Sequence, residues 1–129
     1  VEPESGENFF RELSHRDTEC FQEFLNEFSE TYPKALDIIQ LDNGSVHPPP
    51  KLKVPENIIL LFQPAHCPEI NPIERVWQHL KDSLAWQFFN NLDALKVTVR
   101  NLLKSWRTKT LKRLTGWDYI LQALSVAGI

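Results

Sequence analysis

Two short apolar runs, residues 36–41 and 58–62, are joined by a stretch that carries Pro48-Pro49-Pro50, and this arrangement restricts the fold more than any other feature of the chain. Both runs are aliphatic and β-branched, as buried strands are. Asp42-Asn43-Gly44 directly after the first run is by itself a hairpin signal, because these residues accept the left-handed backbone of a tight turn. Three consecutive prolines, however, cannot donate to a sheet ladder, so no antiparallel partner can return straight from that turn. A connection of this length suits a crossover to a parallel strand, with a short helix starting near Pro48, where a first-turn proline is tolerated. The expectation is an α/β (α+β) chain.

The remaining pattern is largely helical. Asp17 can cap a helix whose apolar positions Cys20, Phe21, Phe24, Leu25, Phe28 and Tyr32 recur at helical spacing, and Pro33 stops it. Asn71 and Pro72 read as cap and first residue of a second helix, in which Ile73, Val76, Trp77, Leu80 and Leu84 form one stripe. Further helices are predicted over 92–106, over 108–115 closed by Gly116, and over 117–125. Residues 7–13, after the turn Glu4-Ser5-Gly6, are predicted to form a strand.

With 129 residues, 42% of them hydrophobic, the chain has material for one domain and not comfortably for two. No apolar run approaches the roughly 20 residues needed to span a bilayer, and the acidic start VEPESGEN is unlike a signal peptide. A cytoplasmic protein with no membrane partner is expected. Cys20 and Cys67 are too few for a disulfide framework or an all-thiolate zinc site. The absence of Met and a beginning that reads as the middle of a hairpin lead us to expect an N-terminally truncated fragment. Charge is divided unevenly: residues 1–42 carry 3 basic and 11 acidic side chains, whereas residues 91–129 carry 7 and 2. Such a basic tail suits a polyanion, or equally a solvated helix face.

Asp42 at a strand end and Glu74 at a helix start are carboxylates of the kind that bind hard divalent cations. Each also has an ordinary structural role open to it. Asp42 can close an Asx turn, and Glu74 stands at capping-box spacing from Asn71. Their surroundings, Leu41-Asp42-Asn43-Gly44-Ser45-Val46-His47, Phe62-Gln63-Pro64 and Cys67-Pro68 through Asn71-Pro72-Ile73-Glu74-Arg75-Val76-Trp77, resemble the C-terminal part of the catalytic domain of DDE transposases, in the mariner-like and related bacterial insertion-sequence group.

That resemblance implies an RNase H-like fold with a mixed sheet and flanking helices. It also implies a division into a partial catalytic domain lacking its first strand (1–90) and a helical C-terminal extension (91–129). The implied activity is cutting and joining of DNA by metal-dependent phosphoryl transfer. Three acids would hold two Mg²⁺ ions, with Mn²⁺ as a substitute. Asp42 and Glu74 match the second and third acids, and the first has no counterpart here. The implied partners are transposon and target DNA and other transposase subunits, a homodimer included, with nucleoid association when DNA is bound. A noncatalytic remnant that binds DNA or a subunit is the alternative.

Among the cations, Lys81 falls on the same side of its helix as Glu74, and Lys96, Arg100 and Lys104 recur every four residues along one helix face. These four, with His47 in the loop after Asp42, are the candidates for DNA contact, mainly to phosphate. His66 lies in the other flanking loop and can equally be a plain surface residue. Arg75 is expected on the solvated surface, and Trp77, Trp106 and Trp117 in the core. Trp86 lies off its stripe and has no clear assignment.

Overall fold

A computed structural model describes residues 1–42 and 52–128 of the chain. The elements are α1 (Thr18–Thr31), β1 (Asp37–Leu41), β2 (Ile58–Phe62), a 3₁₀ turn (Pro68–Ile70), α2 (Ile73–Leu84), α3 (Leu92–Ser105), α4 (Thr108–Thr115) and α5 (Asp118–Ala127). They fall into two compact units, one of Arg11–Asn71 and the other of Val1–Phe10 with Pro72–Ile129.

In the first unit α1 begins where its sequence says it should. Asp17 is extended at the cap position and accepts the Cys20 amide N–H at 2.9 Å. Apolar residues three and four apart then stack their rings along the helix, from Phe21 to Phe24, Phe28 and Tyr32, while Leu25 is fully buried. The carbonyls at the end of α1 would lack intrahelical partners. Asn57 supplies some of them: its amide donates to Tyr32 O at 3.1 Å and Ser29 O at 3.4 Å, and Ser29 Oγ donates back to Asn57 Oδ1 at 2.5 Å. Gln22 mimics a backbone strand, accepting from Lys53 N and donating to Lys53 O, both at 2.7 Å. These bonds hold α1 against the segment that leads into β2.

The two strands pair in parallel, from Asp37 opposite Ile58 to Leu41 opposite Phe62. The crossover inferred from the prolines is therefore observed as a strand relationship, while the predicted helix near Pro48 lies outside the described residues. Among those residues the sheet has two strands only, and the mixed sheet of an RNase H-like plan is not seen. Parallel sheets normally have both faces covered, yet here Ile58 is buried while Ile59 is 47% and Leu61 51% exposed.

The second unit contains the other four helices and the first ten residues. Val76 of α2 and Leu111 of α4 are fully buried, and Thr115 is satisfied by donating to Leu111 O at 2.7 Å. Trp77 meets Phe10, and His79 meets Trp106, with ring centroids 6.1 and 4.9 Å apart. Residues 7–13 do not form the predicted strand. The chain instead closes a turn, with Glu2 N donating to Glu7 O and Gly6 N to Glu2 O, each at 2.8 Å. Gly6, with φ +79°, then abuts the backbone of Thr108 and Lys112 so closely that a Cβ could not fit. Phe10 is held by a ring contact rather than a ladder, and that is why the apolar run misleads.

The helix boundaries need one small correction. Pro72 occupies the cap position of α2 and Ile73 is its first helical residue, one place later than predicted, within the usual uncertainty of helix ends. α3 has a cap the periodicity did not reveal, Asn91 Oδ1 accepting from Ala94 N at 2.8 Å. α5 ends on Gly128 in the left-handed conformation.

Candidate metal and DNA site

Asp42 follows β1 directly and its side chain is exposed. The strand end that carries it is fixed by several bonds, since Leu41 O accepts from Gln63 N at 3.0 Å and Gln63 is itself only 6% exposed. Gln63 Oε1 accepts from Gln40 Nε2 at 2.9 Å, Gln40 Nε2 also reaches Ile70 O at 3.1 Å, and Gln63 Nε2 donates to Cys67 O at 3.2 Å. Two side-chain amides, one on the penultimate residue of β1 and the other on the residue after β2, thereby tie down the loop that runs toward α2. Sequence reading missed both glutamines. For Gln40 the signal available was a polar residue inside an apolar run.

Glu74 belongs to the second unit, in the first turn of α2, and is exposed. A carboxylate there complements the positive pole of the helix dipole. Lys81 is exposed in the last turn of the same helix, where a cation complements the opposite pole. Asp42 and Glu74 offer hard carboxylate oxygens, the donor chemistry that suits Mg²⁺ or Mn²⁺. His47 lies outside the described residues, and His66 is exposed with φ 60° in the loop before the 3₁₀ turn.

Lys96, Arg100 and Lys104 are all exposed on α3, a helix with no buried residue, so the four-residue spacing does place them along one outer face. The expectation for Arg75 is overturned. Its guanidinium lies over the Trp117 indole, 3.1 Å from the ring centroid, and its Nη2 donates to Tyr119 Oη at 3.4 Å. Trp117 is accordingly not a core residue but is 46% exposed at the cap position of α5, stacked under a cation. Trp86 is fully exposed just beyond α2, with φ 65°.

Residues 1–96, which include Asp42, Glu74 and Lys81, match the family model described as DDE superfamily endonuclease. The chain belongs to that family. Members of the DDE superfamily act on DNA and generally use divalent metal ions, and the exposed carboxylates of this DDE chain are suited to such ions. An uncharacterized protein of Sinorhizobium fredii (strain NBRC 101917 / NGR234), y4pE/y4sA, is 40% identical over 93 residues, which cover 70% of this DDE chain and 69% of the relative. No solved structure matches the chain. Among the described residues no helix is long and apolar enough to cross a membrane.

Proposed function

We propose that this chain is part of the catalytic domain of a DDE transposase of the insertion-sequence type, with Asp42 and Glu74 as two of the acids that hold its metal ions. The observation that carries this reading is the family match across the segment containing both carboxylates, one at the end of a parallel strand and the other in the first turn of a helix. Mg²⁺ or Mn²⁺, when bound, would neutralise phosphoryl oxygens and favour ionisation of the attacking water or DNA 3′-hydroxyl. Asp42 and Glu74 would fix its position, and neither needs to become a covalent nucleophile. Lys81 would meet a phosphate near the reacting strand, and Lys96, Arg100 and Lys104 would hold the duplex through its backbone.

In this proposal residues 1–90 contribute to catalysis and residues 91–129 form the helical extension. Other transposase subunits, including a second copy of the chain, are its protein partners, and its place is the cytoplasm and the nucleoid. A noncatalytic role in DNA or subunit binding is the second reading, favoured by the exposed cation row of α3.

The two readings separate on metal binding and on cleavage. If Asp42 and Glu74 share ions, Asp42→Ala and Glu74→Ala should each weaken Mn²⁺ binding, and the double variant should bind no more weakly than the worse single one. The 129-residue chain alone should not cut DNA, because phosphoryl transfer depends on positioning and charge that two acids do not supply. A longer chain bearing an Asp on a preceding strand should cut with Mg²⁺, and either substitution should abolish it. Mn²⁺ affinity indifferent to both residues would leave the binding-only reading standing.

A further inference from the structure

His15, Asp17 and Cys20 bring three different donor types together at the start of α1, and no part of the DDE chemistry uses them. One ligand atom from each lies within 4.8 Å of the other two. We propose that these residues form a zinc-type metal site, independent of Asp42 and Glu74, that pins the segment before α1 to the helix.

The donor set points to the metal. Imidazole nitrogen, thiolate sulfur and one carboxylate oxygen suit Zn²⁺, whereas Mg²⁺ takes oxygen ligands almost alone. Around a tetrahedral Zn²⁺ with bonds of about 2.0–2.3 Å, donors stand roughly 3.3–3.8 Å apart. Closing from 4.8 Å to that spacing would fall to the His15 and Asp17 side chains, both of which are exposed. Three protein ligands leave the fourth position to water.

The surroundings prepare each donor. Ser14 Oγ lies 3.0 Å from His15 Nδ1, the kind of outer hydrogen bond that orients a ligating imidazole and leaves its other nitrogen available. Asp17 Oδ1 accepts the Cys20 amide N–H at 2.9 Å, which fixes the carboxylate beside the residue that carries the thiol. Cys20 stands in the first turn of α1, where the helix N–H groups lack intrahelical carbonyl partners. The same N–H groups oppose a bare cation, but a thiolate and a carboxylate together balance a charge of +2. Residues 11–17 have neither a ladder nor a helix to hold them, so a metal bridge from His15 to Cys20 would supply a restraint that backbone hydrogen bonding does not.

The test is titration of the reduced full chain with Zn²⁺ and, separately, with Co²⁺, whose thiolate bond gives a charge-transfer band in the near ultraviolet. The expected result is one equivalent bound, with that band present. It should vanish in Cys20→Ser and persist in Cys67→Ser. His15→Ala and Asp17→Asn should each weaken Zn²⁺ binding by at least about tenfold. Asn caps a helix as well as Asp does, so Asp17→Asn removes the ligand charge while α1 stays folded, and it decides the matter even if Cys20→Ser does not fold. A missing band, a band that follows Cys67, or affinity unchanged in both His15→Ala and Asp17→Asn would overturn the proposal.

Discussion

Gln40 of β1 and Gln63, the residue directly after β2, share a hydrogen bond of 2.9 Å from Gln40 Nε2 to Gln63 Oε1, beside the strand end that presents Asp42. Buried amides are costly when left unpaired. Gln63→Leu would strip Gln40 and Cys67 O of a partner at a nearly inaccessible position, and we expect a loss of about 1–3 kcal/mol in urea unfolding. A change near zero would mean that water replaces the amide without penalty.

The Arg75–Trp117 stack predicts an energetic coupling between α2 and the start of α5. Arg75→Ala and Trp117→Ala should each destabilise the fold, and a double-mutant cycle should return about 0.5–1 kcal/mol of interaction. Because Trp117 is half exposed, the lower end of that range is expected. Strictly additive effects would reduce the stack to a chance surface contact.

Acid should weaken the start of α1. The carboxyl of Asp17 is held below its ordinary value of 3.8 chiefly by the hydrogen bond from the Cys20 backbone amide. A group whose folded pKa is depressed stabilises the fold above its unfolded pKa, and that contribution disappears as pH falls through the folded value. Metal-free protein compared with Asp17→Asn should therefore show a melting-temperature advantage near neutrality that shrinks below about pH 4. An advantage that is the same at pH 7 and pH 3 would contradict this.

The α3 cations should reveal themselves through salt. If Lys96, Arg100 and Lys104 each meet a phosphate, replacing all three with Ala should lower the slope of log affinity against log salt by about 2–3 for duplex DNA of any sequence. An unchanged slope would return the row to the solvated surface. Sequence-dependent affinity would require a reading element that this face lacks.

The elements themselves were legible because their causes are local. Asp17 caps α1, Pro33 follows its end, Gly116 ends α4, and the apolar runs that became β1 and β2 are too short and too β-branched for helices. Even the parallel pairing could be argued from the sequence, since proline's missing N–H bars a direct return strand. The candidate acids were legible through the motif around them and through their positions at element ends.

What tertiary structure alone decided concerns partners far apart in the chain. Residues 7–13 have strand composition, but the close fit of Gly6 to α4 and of Phe10 to Trp77 claims that segment before any ladder can. Trp117 is apolar at helical spacing, yet it became a platform for Arg75, because a helix wheel cannot tell which neighbour arrives. The same holds for Gln40 with Gln63 and for Asn57 with the end of α1: a side-chain hydrogen bond depends on two positions meeting, and spacing along one element carries no information about the other.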